Sequence, residues 1–407
     1  MTGSSSLLRA MNVRAAFAHL LERGRLTRGE LRELTGLSKP TSSEVIRSLQ
    51  DVGLAVVAGH TSGGPGPNAE IYAPNAEASF HAGIAVRDVG ERALTNVVAA
   101  IADVTGTVRA SVETRVDFRG IGPVQAVDAV LADLVEESGI PTERLHHVQL
   151  GVPGSHDPRT DTIRYVDVPG WSEPGLLARM RVELDTTVEV ENDVNLAAVA
   201  ERAHGVATDA SAFALLWLGS QGLGLATVLD GTLLRGSRGG AGEIGYMPVG
   251  LTDLHSSGRR RDFTDLVGGD AVLELADEHG LAATSAPEAL RMAVAGGHEP
   301  FLDELAERIA FGLAAVVAVL DPPLVVLAGE VGQAGGAALS AAVARSATSA
   351  SPLDCEIEPS GVTGDAVLLG ALRTGLTKTR ERLLDAVGGG TASTHDPVQA
   401  ARLLRST

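Results

Sequence analysis

The spacing of apolar residues changes once along this chain, and that change limits the folds open to it. Leu7, Leu8, Met11, Val13, Phe17, Leu20 and Leu21 recur at helical spacing, and Gly24 ends the run. From Ala82 onward the texture is different. Short apolar runs at 84–86, 97–102 and 108–112 read as an antiparallel meander, and later strands alternate with helices. Such a break excludes one uniform bundle or one barrel. The expected fold class is α/β: a small helical head over residues 1–75, a two-lobed body over 80–385, and a tail over 386–407. A length of 407 residues also exceeds one ordinary core.

The head carries local signals of unusual clarity. Thr27 followed by Glu30 is a capping-box pattern opening a short helix that should bury Leu31 and Leu34. Gly36-Leu37-Ser38 turns into a further helix, with Ser38 as its cap and Pro40 in its first turn. Val45, Ile46 and Leu49 should face inward, and Gly53 should end the helix. Helix, short glycine turn, helix is the helix-turn-helix layout. Strands near 54–57 and 70–73, joined by a loop over 60–67, read as a wing. The candidate DNA contacts are Thr27, Ser38, Lys39, Thr41, Ser42, Ser43 and Arg47, with Lys39 and Arg47 foremost. Small hydroxyls and a few cations let a helix sit deep in a major groove. The wing is poor in Arg and Lys, so its reading of the minor groove should be weak. The alternative for the head is a helical cap used for dimerisation.

Charge supports the division. Residues 1–60 hold eight Lys/Arg against five Asp/Glu, whereas the rest holds 25 against 46. An acidic body repels nucleic acid and a basic head attracts it. A net of +3 over sixty residues is also within ordinary scatter. No apolar run approaches the ~18 residues a membrane-spanning helix needs; the longest, 309–320, reads as a buried helix. With no signal-peptide layout either, the chain is expected in the cytoplasm. The lone Cys355 excludes an internal disulfide and any cysteine-rich zinc cluster.

In the body, five glycine-punctuated pieces follow one another: Gly151-Val152-Pro153-Gly154; Val190-Glu191-Asn192-Asp193; Gly222-Leu223-Gly224 running to Asp230-Gly231; Gly242-Glu243-Ile244-Gly245; and Asp321-Pro322-Pro323-Leu324 running to Gly329. Asn192-Asp193 pairs an amide with a carboxylate, which suits adjacent hydroxyls of a polyol. The same pair would also cap the following helix. Glu243 is either a loop glutamate at the surface or, between its glycines, a cleft residue. Trp171 fills core or lines a pocket, core being the better reading, and the run Arg259-Arg260-Arg261 reads as a solvated loop.

Taken in this order, and with the winged head before them, these pieces resemble the ROK family of repressors, open reading frames and kinases over nearly the whole chain. The resemblance implies a two-lobed actin-like, sugar-kinase-like (ribonuclease H-like) body. It implies a sugar or sugar-phosphate effector held by Gly154, Asn192, Asp193, Glu243 and Tyr246. Kinases of the family carry an Asp-x-Gly-Gly-Thr-like phosphate loop. Here Ala85 stands at its acidic position, and Glu91 faces where phosphate would sit. The family's zinc site is a His followed by cysteines. Here the His position is Tyr246, and 255–264 holds His255 without a cysteine, so no structural zinc is expected. Thr264 stands where a sugar-binding Glu is usual.

The function expected is a DNA-binding regulator, a repressor of carbohydrate-related genes, working as a homodimer or homotetramer on a double-stranded operator. No catalytic residue, metal or cofactor is expected. The alternative is a ROK kinase that phosphorylates a hexose or pentose with ATP, with Asp193 as its base. A ligand-independent scaffold is the third reading.

Overall fold

The computed structural model describes residues 2–61, 68–87, 94–249, 262–350 and 355–387. The head comprises α1 (Thr2–Arg23), β1 (Leu26–Thr27), α2 (Arg28–Thr35), α3 (Lys39–Asp51), β2 (Ala55–His60) and β3 (Glu70–Pro74), its strands ordered β1-β3-β2. The expected caps are present. Thr27 accepts from Glu30 N while the Glu30 carboxylate accepts from Thr27 N, and Ser38 accepts from Thr41 N. Gly36 ends α2 in the left-handed region at φ 67°, where a side chain would be strained. Phe17, Leu20, Leu31, Ile46, Leu49 and Tyr72 are fully buried together. Two expectations are corrected here. Leu34 faces solvent, 39% exposed, because α2 is a two-turn helix with a narrow buried stripe. Ser42 is wholly buried and its hydroxyl donates to Lys39 O.

The first lobe runs through β4 (Phe80–Val86), β5 (Thr95–Asp103), β6 (Val108–Val116), α4 (Pro123–Ser138), β7 (Leu145–Val152), β8 (Ser155–Asp157), β9 (Thr162–Arg164), α5 (Leu176–Glu183) and β10 (Thr187–Asn192). Its five-stranded sheet has the order β10-β7-β4-β5-β6. The expected β4–β5–β6 meander is antiparallel, and β7 and β10 extend it in parallel from β4. Trp171 is fully buried in this lobe, edge-on to Phe118.

The second lobe begins with α6 (Asp193–His204) and continues through β11 (Phe213–Leu218), β12 (Leu223–Leu229), β13 (Thr232–Leu233), α7 (Thr264–Val267), α8 (Gly269–Glu278), α9 (Ala286–Gly296), α10 (Glu299–Leu320), β14 (Leu324–Ala328), α11 (Gly329–Ala350) and β15 (Glu356–Pro359). Its sheet repeats the first lobe's plan: an antiparallel hairpin, β11–β12, joined to parallel strands, in the order β13-β12-β11-β14-β15. Each lobe buries its own apolar core. Among the described residues no helix is long and apolar enough to cross a membrane.

The chain then returns. α12 (Ala366–Val387) lies on β4 and β7 of the first lobe and against α6. Glycine permits that approach. A Cβ at Gly370 would come within 1.9 Å of Leu196 O, and one at Gly375 within 2.9 Å of the His81 ring. Each glycine costs about 1 kcal/mol of helix propensity, and the contact it allows offsets that. The far end of α12 joins the head: Leu383 is buried in the same cluster as Phe17 and Leu20, and Asp385 pairs with Arg14. The expected tail begins at 386, where α12 still runs to Val387; the residues beyond 387 lie outside those described.

Candidate ligand cleft and nucleic-acid face

Between the lobes lies a cleft of about 480 Å³. It opens at the carboxyl ends of the central strands, where α/β sheets place ligands because the loops there diverge. β4 delivers Val86 and Arg87, β7 delivers Pro153 and Gly154, β10 ends in Asn192, and Glu330 opens α11 after β14. All five residues singled out for ligand binding, Gly154, Asn192, Asp193, Glu243 and Tyr246, line this one cleft.

Local geometry explains how each is held. Asn192 is the cap of α6: its Oδ1 accepts from Asn195 N at 3.1 Å and its Nδ2 donates to Gly154 O at 3.3 Å. Both amide ends are thus engaged in structure. Asp193 stands in the first turn of α6, its Oδ1 accepting from Val194 N at 2.8 Å, where the helix N-terminus favours a carboxylate. Glu243 accepts from the Ser155 hydroxyl at 2.5 Å, tying the second lobe's glycine loop to the first lobe. Gly242 must be glycine: its φ is 94° and a Cβ would lie 1.8 Å from Leu225 O. Tyr246 is 64% exposed and its ring lies 5.8 Å from that of Tyr165, tilted by 48°. Partial burial, with the carboxylates of Glu243 and Asp167 near it, pushes the Tyr246 phenol up. Tyr165, Asp167, Ser155, Trp217, Arg87 and Glu330 also line the cleft and were not found from sequence. Tyr165 and Asp167 follow no motif; only the fold brings them to the opening.

The head carries a second set of exposed polar side chains. Ser38, Lys39 and Arg47 are exposed, and Thr41 and Ser43 are half-buried. The Ser43 hydroxyl donates to Lys39 O at 3.0 Å, and the Ser38 and Thr41 hydroxyls share a bond of 2.8 Å. Thr27 is taken up by its capping box, which holds the Glu30 carboxyl below the usual carboxylate range. Ser42 points into the core and leaves this face. Arg9 reaches from α1 to Glu44 and Ser48, bracing α3. The tip of the expected wing, 62–67, lies outside the described residues.

A sequence model described as "ROK family" matches residues 91–377. This chain belongs to the ROK family. Curated relatives include the xylose repressor of Bacillus spizizenii, 23% identical over 66% of this chain and 68% of the relative. A glucokinase of Halalkalibacterium halodurans is 29% identical over 46% of this chain and 62% of its own length. Among solved structures, a ROK family transcriptional regulator, described as a homologue of the E. coli MLC protein, superposes with a TM-score of 0.68 at 16% identity, covering 94% of this chain and all of that one. A ROK hexokinase from Thermus thermophilus superposes at 0.59 with 24% identity, over 74% of this chain and 99% of the hexokinase. The fold is therefore the two-lobed, actin-like one shared by ROK regulators and sugar kinases.

Against the family's zinc pattern, the residues present do not fit. Tyr246 offers a phenol where an imidazole is needed, and Cys355 packs beside the second lobe's core. His255 lies outside the described residues, among which no cluster of three His, Cys, Asp or Glu side chains could hold a metal. The phosphate-loop position fares similarly. Ala85 is closed into an apolar cluster with Leu196, Val367 and Ala371. Two residues on, Arg87 is bound to Asp365 at the start of α12. Residues 88–93 lie outside those described.

Proposed function

We propose that this ROK protein is a DNA-binding transcriptional repressor whose operator affinity is set by a small sugar in the interlobe cleft, and that it acts as a homodimer or homotetramer on paired half-sites. The observation that carries this reading is the course of α12. Its first turn stands at the cleft, where Asp365 caps it by accepting from Leu368 N and pairs with Arg87, and where Val367 lines the wall. Its last turns are part of the head's core. The 22 residues span about 33 Å as one rod. Gly370 locks the rod against the backbone of α6, the helix that opens with Asp193. A ligand that binds one cleft geometry better than another therefore biases the head through packed structure, and only by its differential affinity.

The head supports DNA binding with Lys39 and Arg47 exposed on α3 and the hydroxyls of Ser38, Thr41 and Ser43 beside them. Thr27 sits at the start of α2, where its position suits a phosphate contact more than a base. Two such heads related by symmetry would read half-sites about one helical turn apart. In the cleft, Asp193 and Glu243 accept from sugar hydroxyls, and Gly154, whose missing side chain lets the chain at Arg164 and Val166 pack against it, holds the wall beside them. Ala85 and the Arg87–Asp365 pair oppose kinase chemistry, which depends on positioning and neutralising phosphates.

The test is binding of the purified protein to its own upstream DNA, with and without D-xylose, D-glucose and their phosphates. Operator binding altered by one of these supports the reading. Binding that no sugar alters removes the sensor role. Absence of DNA binding at low salt, with ATP-dependent sugar phosphorylation that is lost in Asp193→Asn, would establish the kinase instead.

A further inference from the structure

We infer that Tyr165 and Tyr246 form a stacking platform at the mouth of the cleft, and that the effector is an uncharged or cationic sugar ring rather than a phosphorylated one. This deepens the sensor reading and rests on it. Both rings are large and exposed, 49% and 64%, in a protein with only 3% aromatic residues. Neither contributes to a buried core. They approach each other instead, at 5.8 Å between centroids, one from each lobe. Tyr165 holds this place at φ 56°, in the left-handed region. That conformation is a true outlier for a bulky aromatic residue, and such strain persists only where surrounding structure imposes it. Arg164 covers part of Tyr165, its guanidinium 5.1 Å from the ring centroid, but does not line the cleft. The C–H face of a sugar ring is the apolar, flat partner that such a pair fits.

Charge decides the class of sugar. Asp167, Asp193, Glu243, Asp262 and Glu330 line the cleft. Among the described lining residues the single cation is Arg87, and it is already bound to Asp365. The Tyr246 phenol is raised first by partial burial and then by Glu243, Asp167 and Asp262 beside it. A dianionic phosphate entering this space meets carboxylates at short range in a partly desolvated site. Hydroxyls, or a protonated amine, find acceptors there, and an amine would also lie over aromatic faces.

The experiment is a titration of the intact protein with D-xylose, D-glucose, D-glucosamine and D-glucose 6-phosphate, followed by calorimetry and by tryptophan fluorescence. Trp217 lines the cleft while Trp171 is fully buried, so a change in emission reports the site. A neutral or amino sugar should bind at least about tenfold more tightly than the sugar phosphate. Tyr246→Ala should weaken that sugar about tenfold, and Tyr246→Phe should restore it. Glu243→Gln should narrow the gap between neutral sugar and phosphate. Tighter binding of the phosphate, or full affinity in Tyr246→Ala, overturns the platform while leaving the sensor reading standing. Failure of every sugar to bind, with operator binding intact, overturns both.

Discussion

The head and the cleft are assembled by opposite means. The head's proposed DNA face comes from one continuous stretch, with α2 and α3 each begun by a hydroxyl that satisfies its own first turn. The cleft is gathered from residues as distant as Arg87 and Glu330, placed by glycines that let backbones touch. A contiguous face is robust because its geometry is local. A gathered cleft depends on how two lobes sit, so it is the part that a ligand can bias. α12 touches both. Each end is seated by apolar burial and an ion pair: Leu383 and Arg14–Asp385 at the head, Val367 and Arg87–Asp365 at the cleft. Midway it covers the buried rings of His81 and His147.

The largest effect should come from cutting the head end. Leu383→Ala removes a side chain that is 4% exposed in the head's core and should cost about 2–5 kcal/mol. Chemical denaturation would measure it. Sugar binding should persist in this variant while the response of operator affinity to sugar falls; an undiminished response would break the comparison.

Acid should loosen the lobe beneath α12 before it loosens the head. Burial holds His81 down to about 4, and burial with Arg382 nearby holds His147 down to about 3, from 6.5. Because the folded values are depressed, the unfolded chain takes up these protons first. The stability is full above about pH 6.5 and falls as the pH drops toward 3. Thermal melts from pH 7 to 4 should show a steeper loss in the wild type than in His81→Leu/His147→Leu. Parallel curves would remove the histidines from the account.

Next in size, Arg47→Ala should weaken operator binding by about 1–3 kcal/mol if it reads a base, or lower the salt dependence if it meets phosphate. Sugar binding should be unchanged. Ser42→Ala should leave operator affinity untouched, since Ser42 is inside; a loss there would reverse its placement. The smallest effect is that of Thr27→Ala, which breaks the capping box and should cost about 1 kcal/mol of stability, read by the same denaturation.

Ser42 shows how a legible signal was misread. Positions 42, 45, 46 and 49 share one helical face, so its burial follows from the same period that turns Val45, Ile46 and Leu49 inward. Its hydroxyl suggested groove contact, but a serine hydroxyl can donate to a carbonyl one turn back and be buried at little cost. The exposure of Leu34 was less legible, because eight residues leave the apolar stripe of α2 ill defined.

By itself the sequence determined the caps at Thr27 and Ser38, the turn at Gly36, the two textures on either side of residue 80, and four of the five motifs as pieces that meet in the cleft. It also established two departures from the family pattern, an alanine at 85 in place of an acid and a tyrosine at 246 in place of a histidine. These are short-range facts, set by hydrogen bonds within a turn, by helical and strand periods, and by residue identity. Tertiary structure alone decided that Tyr165 meets Tyr246, that Arg87 meets Asp365, and that the last helix of the body completes the core of the head. Those pairs lie from 81 to several hundred positions apart. Nothing local favours them. They exist because burying two sheets and closing α12 over β4, β7 and α6 leaves the chain no other place for them.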